Sequence, residues 1–342
     1  LKKILVTGGT GYIGSHTVVE LINKGFDVLI VDDLSNSDRI VLDRIQEITG
    51  KWPAFECLDL RDKPGIDRLI KNNTDIAAVI HFAAKKAVGE SVEKPLLYYD
   101  VNVGGMINLL QSLAAIPEMA FVFSSSCTVY GQPEQLPVSE QSPILPAESP
   151  YGNTKQICEN ILADLCKVNE NFKAISLRYF NPVGAHESAL IGELPRGVPN
   201  NLVPFITQVA IGLREQLLVY GNDYNTVDGT AVRDYIHITD LANAHVIALE
   251  RLLQKKSKRN YEFYNLGTGK GNSVLEVIKA FEKVTGQKLN YKITARRAGD
   301  VEKIYADTSL ASTELGWKSA LDLESMMISA WKWQQHLNKQ QL

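Results

Sequence analysis

Three features of this 342-residue sequence predict an α/β fold, a doubly wound parallel sheet followed by a second, smaller α/β domain. Short apolar runs alternate with amphipathic stretches through the first half, and a glycine triplet follows the first run directly. Beyond Asn181 the texture changes to segments rich in Gly, Pro and Asn. Lys3–Thr7, Asp27–Asp32, Ala54–Cys57, Ala77–Phe82, Ala120–Ser124 and Ala174–Arg178 read as buried parallel strands. Ile13–Lys24, Ser37–Thr49, Gly65–Asn72, Leu97–Ala115 and Tyr151–Asn169 read as the helices between them, which implies right-handed crossovers. Helical patterns recur at Val203–Gly212, Asp240–Leu253, Ser273–Thr285 and Leu321–Gln335. The expected division is a first domain over 1–181, completed by segments from about 234–268, and a second over 182–342.

Composition narrows the function classes. With 36 Lys+Arg against 39 Asp+Glu the formal charge is −3, so nucleic-acid binding by bulk electrostatics is not expected. A 45% hydrophobic and 22% charged chain is typical of globular proteins. No apolar run approaches the ~18 residues of a membrane span, and the first residues read as a strand rather than a secretion signal. Cys57, Cys127, Cys158 and Cys166 form no C-x-x-C pair and read as reduced thiols of a cytoplasmic protein. The six histidines lack metal-ligand spacing, so no metal is expected.

The first strand runs into Gly8-Gly9-Thr10-Gly11-Tyr12-Ile13-Gly14 and then a helix. Glycines at 8, 11 and 14 let the chain turn tightly and let a pyrophosphate approach backbone N–H groups at the positive helix end. This is the Rossmann-type context. Asp32-Asp33 ends the second strand, with Asp32 18 residues after Gly14. A carboxylate there accepts the adenosine ribose hydroxyls and repels a 2′-phosphate, which favours NAD over NADP. Asp59-Leu60, after the third strand, offers a contact to the adenine edge or a cap for a turn.

Tyr151 and Lys155 lie four residues apart, on one face of the fifth helix. A phenol, with its usual pKa of ~10, is a poor base at neutral pH, but a nearby ammonium and a positive nicotinamide ring favour phenolate. Bringing it to neutrality takes about 4 kcal/mol of differential stabilisation. Ser126, 25 residues upstream and closing the preceding strand, supplies a hydroxyl to share the substrate proton. With the glycine cradle, Ser126, Tyr151 and Lys155 point to hydride transfer between a sugar or alcohol carbon and a nicotinamide.

These residues resemble the extended short-chain dehydrogenase/reductases. Ser124–Gly131, Tyr179–His186, Pro199–Leu202 and Gly229–His237 resemble, in order and spacing, the motifs of the UDP-glucose 4-epimerase family. The similarity runs to about Trp333. It implies reversible inversion at carbon 4 of UDP-glucose and UDP-galactose on tightly held NAD, through a transient 4-keto sugar. Tyr151 would accept the proton, Lys155 would lower its pKa and Ser126 would share the proton.

The resemblance assigns NAD contacts to Gly8, Gly11, Tyr12, Ile13 and Gly14, then to Asp32, Asp33, Asn36, Asp59 and Leu60. Phe82, Ala83, Lys86, Tyr151, Lys155 and Phe180 complete that set, with Asn102 near the cofactor or its supporting strand. For the UDP-sugar it implies Lys86, Ser126, Tyr151, Asn181, Asn201 and Leu202, then Leu218, Tyr220, Arg233 and Tyr235. Arg297, Asp300 and Ile304 end the set, and Arg296 could share the role of Arg297. Guanidinium groups suit the pyrophosphate because they meet its oxygens bidentately.

Asp33, Ala84 and Asn153 depart from the family's common residues without removing a catalytic atom. At the Ile304 position a small residue admits an N-acetyl group in the family and a bulky aromatic excludes it; isoleucine is intermediate, so N-acetylated sugars are disfavoured without being excluded. Nucleotide-sugar 4,6-dehydratases carry an Asp-Glu pair where this chain has Cys127-Thr128, and UDP-glucuronate decarboxylases keep a Glu at the second position. An inactive NAD-binding sensor would not need the intact Ser126/Tyr151/Lys155 set. The family further implies a homodimer, seamed by the helices at 97–115 and 151–169.

Overall fold

A computed structural model describes residues 2–114, 116–296 and 301–340. In chain order the first elements are β1 (Lys3–Thr7), α1 (Tyr12–Asn23), β2 (Asp27–Asp32), α2 (Ile40–Thr49), β3 (Ala54–Cys57), α3 (Lys63–Asn72) and β4 (Ile76–His81). Next come α4 (Val88–Glu93), α5 (Pro95–Tyr98), α6 (Gly105–Leu113), β5 (Met119–Ser124), α7 (Pro150–Val168) and β6 (Phe172–Tyr179). The second half carries β7 (Asn181–Val183), α8 (Leu202–Ala210), β8 (Leu217–Tyr220), β9 (Val232–His237), α9 (Ile238–Leu253) and β10 (Tyr261–Leu266). It ends with β11 (Gly271–Ser273), α10 (Val274–Thr285), β12 (Tyr291–Thr294), β13 (Lys303–Ile304) and α11 (Leu323–Gln340).

The chain forms two compact units. One comprises Leu1–Gln132, Pro143–Arg178 and Ala242–Tyr264; the other comprises Pro133–Ser142, Tyr179–Leu241 and Asn265–Leu342. In the first, a seven-stranded sheet has the order β10-β6-β5-β4-β1-β2-β3. β1 pairs in parallel with both β2 and β4, so the strand order reverses between β1 and β4. In sheets of this kind ligands bind at that reversal, outside the carboxyl ends of the strands. Leu5, Val79, Phe121 and Phe123 from the sheet bury against Ile66, Met106, Leu109 and Leu162 from the helices.

One expected helix is broken. The pattern over 97–115 reads as continuous, but Tyr99–Gly104 winds as a π-helix between α5 and α6. The wider turn accompanies burial of Asn102, whose amide binds the backbone of Lys85 at both ends. Such π segments commonly mark functional positions. Helix α7 starts sharply because Ser149 caps it through the Gly152 N–H and Pro150 occupies its first turn.

In the second unit β9 is the centre of a small sheet, flanked by β11 and β13 and paired also with β7. A separate parallel pair joins β8 and β12. Val203, Ile206, Val277, Phe281 and Met327 bury together beneath them, from helices α8, α10 and α11. Ser273 and Glu276 start α10 with reciprocal side-chain caps.

Candidate active site

The glycine turn at the sheet's reversal is sterically obligatory. Gly8 has φ +72°, and a Cβ there would lie 2.7 Å from the Ala83 backbone nitrogen. A Cβ on Gly14 would lie 2.2 Å from the Gly8 carbonyl oxygen. Gly11 caps α1 without a side chain, which leaves the helix entrance open to an anion. Tyr12 stands at that entrance with the Lys86 ammonium 6.0 Å from its ring centre. Phe82 follows β4, donates its N–H to the Thr7 carbonyl and stacks at 4.7 Å on His245.

Asp32 is buried at the end of β2, where Oδ2 accepts from the Thr10 N–H and Oδ1 from the Leu34 N–H and the Ser37 hydroxyl. Its neighbour Asp33 closes a turn by accepting from the Ser35 N–H. Asn36 lies in the same loop, ahead of α2. Asp59 is held by Arg61, whose guanidinium keeps its carboxyl below the usual carboxylate range. It also accepts from the Arg61 N–H, so it caps a turn. Leu60 is buried beneath Gly105. Asn102 braces the loop after β4 and donates to the Thr154 hydroxyl of α7.

Ser126 ends the segment that leaves β5 and caps a short 3-10 helix over Cys127–Tyr130. Its Oγ accepts from the Thr128 N–H at 3.2 Å, which leaves the hydroxyl proton for another partner. Tyr151 sits in the first turn of α7 and is 8% exposed. One turn on, Lys155 donates to the Ser124 carbonyl oxygen at 2.7 Å. Its ammonium lies 4.8 Å from the Phe123 ring centre and 5.9 Å from that of Tyr151. Burial brings the Lys155 pKa down to about 8, and Cys158 and then the carboxylate of Glu159 counteract part of that fall. On β4, burial and then the Lys155 charge push His81 down to about 3, so it stays neutral and binds Thr7.

The second unit holds the other expected positions. Asn181 opposes Tyr235 across β7 and β9, and Tyr235 is buried. Arg233 opposes Ile304 across β9 and β13, so strand register brings these two expected substrate positions together. Asn201 precedes α8, with its amide on Glu193, and Leu202 opens that helix. Leu218 and Tyr220 project from the exposed side of β8. Phe180 is buried, its N–H on the Leu266 carbonyl. Arg296 pairs with Asp223 and stacks 4.1 Å over Tyr224. Arg297 and Asp300 lie outside the described residues.

Two polar centres escape the sequence reading. Asp234, between Arg233 and Tyr235, accepts from the Thr268 N–H and hydroxyl and from the Gly269 and Ala306 N–H groups. Glu159 and Arg178 form a buried ion pair behind Ser125. No local spacing announces either one.

The reversed parallel sheet, the glycine turn and the Ser126/Tyr151/Lys155 group define a short-chain dehydrogenase/reductase of the extended kind. The family model described as GDP-mannose 4,6 dehydratase matches residues 5–329. UDP-glucose 4-epimerase 1 of Oryza sativa subsp. japonica is 52% identical over 336 residues, 97% of this chain and 94% of that protein. Among solved structures, the UDP-glucose-4-epimerase of Stenotrophomonas maltophila with bound NAD and formylated UDP-arabinopyranose is 50% identical. It superposes with a TM-score of 0.95 over 99% of this chain and 100% of that one. The epimerase of Bifidobacterium longum in complex with NAD+ and UDP is 47% identical, with a TM-score of 0.92 over 98% of each chain. The chain belongs to the UDP-glucose 4-epimerase family.

Proposed function

We propose that the protein is an NAD-dependent isomerase that interconverts UDP-glucose and UDP-galactose by inverting carbon 4. The observation that carries this reading is the buried Ser126/Tyr151/Lys155 group in a chain 52% identical to a UDP-glucose 4-epimerase. The cradle fits a dinucleotide: Gly8 and Gly14 leave no room for side chains, and Asp32 stands at the end of β2. Gly8, Gly11, Tyr12, Ile13, Gly14, Asp32 and Lys86 would hold NAD. NAD, when bound, supplies the acceptor that takes hydride from carbon 4 and returns it to the other face of the 4-keto sugar.

Tyr151 takes the proton of the 4-hydroxyl and later gives it back, because its ring lies near a buried ammonium that favours the ionised phenol. Ser126 passes or shares that proton through the hydroxyl hydrogen left over from its bond to Thr128. Arg233 and Asn181 of the second unit hold the nucleotide and sugar, and Ile304 limits the sugar's substituents. In this reading residues 1–181, with later segments, serve NAD and residues 182–342 serve the UDP-sugar. The Cys127-Thr128 positions lack the acid pair that dehydration needs.

Exposed apolar side chains at Ile107 and Val168 support a homodimer seamed by the helices at 97–115 and 151–169. The four cysteines stand as free thiols, consistent with a cytoplasmic setting. No helix among the described residues is long and apolar enough to cross a membrane. Purified protein should convert UDP-galactose to UDP-glucose and release NAD when denatured, and Tyr151→Phe should keep the NAD and lose most turnover. Wild-type protein that binds NAD without turnover would sink the epimerase reading.

A further inference from the structure

The short segment that carries Ser126 is tied down at four successive points. Ser124 offers its carbonyl oxygen to Lys155 at 2.7 Å, and Ser125 donates its hydroxyl to Glu159 at 2.6 Å. Val129 offers its carbonyl to Gln156 at 2.8 Å, and Tyr130 accepts at its phenol oxygen from Arg178 at 2.9 Å. Three of the four partners lie on α7, the helix that carries Tyr151; the fourth, Arg178, comes from β6.

Arg178 is bound to Glu159 through two groups, Nε at 3.0 Å and Nη2 at 2.6 Å. Its guanidinium also lies 4.2 Å from the Phe263 ring centre and 5.0 Å from that of Tyr130. Glu159 is 6% exposed and Arg178 4%. Buried charges of this kind carry a large desolvation cost, which replacement by apolar residues would relieve, so stability is a poor reason for them. Their geometry offers a better one.

We propose that Glu159 and Arg178 are positioning residues for proton transfer. Together they fix the 124–130 segment between β6 and α7, and so set the Ser126 hydroxyl against Tyr151. This rests on the epimerase reading above. Ser125 and Tyr130 flank the Ser126 turn, and one ion pair grips both. A shift of about 1 Å in such a group costs on the order of 100-fold in rate without weakening substrate binding.

Glu159 also contributes charge. Lys155 faces Tyr151, Cys158 and Glu159 along its own helix and His81 from β4. Of these, Cys158 and then the Glu159 carboxylate favour the ammonium form.

The test compares wild type, Glu159→Gln, Arg178→Lys, Arg178→Met and the charge-neutral double variant E159Q/R178M in UDP-galactose turnover from pH 6 to 10. The double variant leaves neither member of the pair as a lone buried charge and covers the case in which a single variant fails to fold. The folded fraction by circular dichroism and the NAD released on denaturation are measured in parallel. Folded, NAD-loaded variants should keep KM within about twofold and lose about 10- to 100-fold in kcat. Arg178→Lys should recover part of the loss seen in Arg178→Met, and the alkaline limb of Glu159→Gln should move to lower pH. Wild-type kcat and an unmoved limb in the folded variants would overturn the pair's role alone. A loss that only follows folded fraction or NAD content would do the same. An inactive wild type would overturn the epimerase reading and the pair together.

Discussion

Replacing Lys155 with methionine keeps most of the side chain's length and removes its charge, and the consequence for stability depends on pH in a way the burial dictates. Lysine ordinarily titrates at 10.5, and burial brings Lys155 down to about 8. That difference corresponds to about 3 kcal/mol against the ammonium form in the folded state. Below pH 8 both folded and unfolded chains hold the proton, and the folded chain bears the whole cost. Between pH 8 and 10.5 the folded chain has released a proton that the unfolded chain still binds, so stability rises with pH. The stability of wild type minus that of Lys155→Met should therefore climb by roughly 1.4 kcal/mol per pH unit in that window. Urea denaturation of both proteins at pH 7, 8, 9 and 10, at one fixed NAD concentration, measures it. Wild-type turnover should decline over the same range, as the ammonium beside Tyr151 loses its charge. A stability difference that stays flat from pH 7 to 10 would refute the buried-ammonium argument.

Gly14→Ala would drive a Cβ to 2.2 Å from the Gly8 carbonyl oxygen, and the backbone must move. The expected cost is about 1–3 kcal/mol together with loss of NAD from the purified protein, read by denaturant titration and by nucleotide release. Asp32→Asn keeps one of the two acceptor oxygens and removes the charge that opposes a 2′-phosphate, so the NAD-over-NADP preference should shrink; competitive binding of the two nucleotides tests this. Asp234→Ala strands the Thr268, Gly269 and Ala306 N–H groups, with an expected loss of about 3 kcal/mol or more in urea denaturation.

Much of the first unit was readable because its signals are local. Gly8, Gly11 and Gly14 are spaced by the needs of one turn, and Tyr151 and Lys155 by one turn of helix. The parallel strands up to Ala174–Arg178 announced themselves as apolar runs, and the structure extends that last one to Phe172–Tyr179. What escaped depends on pairing between distant segments. Arg178 reaches Glu159 because β6 lies beside β5 under α7, and nothing in their 19-residue separation reports that. The π-helix at Tyr99–Gly104 was hidden for a similar reason: Asn102 is drawn inward by Lys85 and Thr154, not by its sequence neighbours. β8 and β12 are short strands more than 70 residues apart, and each gains its identity only from the other.

The central claim is that one hydrogen leaves carbon 4 and returns to the same carbon on the opposite face. Incubating the protein with UDP-galactose deuterated at carbon 4, in ordinary water, reads this directly from the deuterium content of the UDP-glucose formed. Retention of the label at carbon 4 is predicted. Product formed with the label lost to solvent would contradict the account.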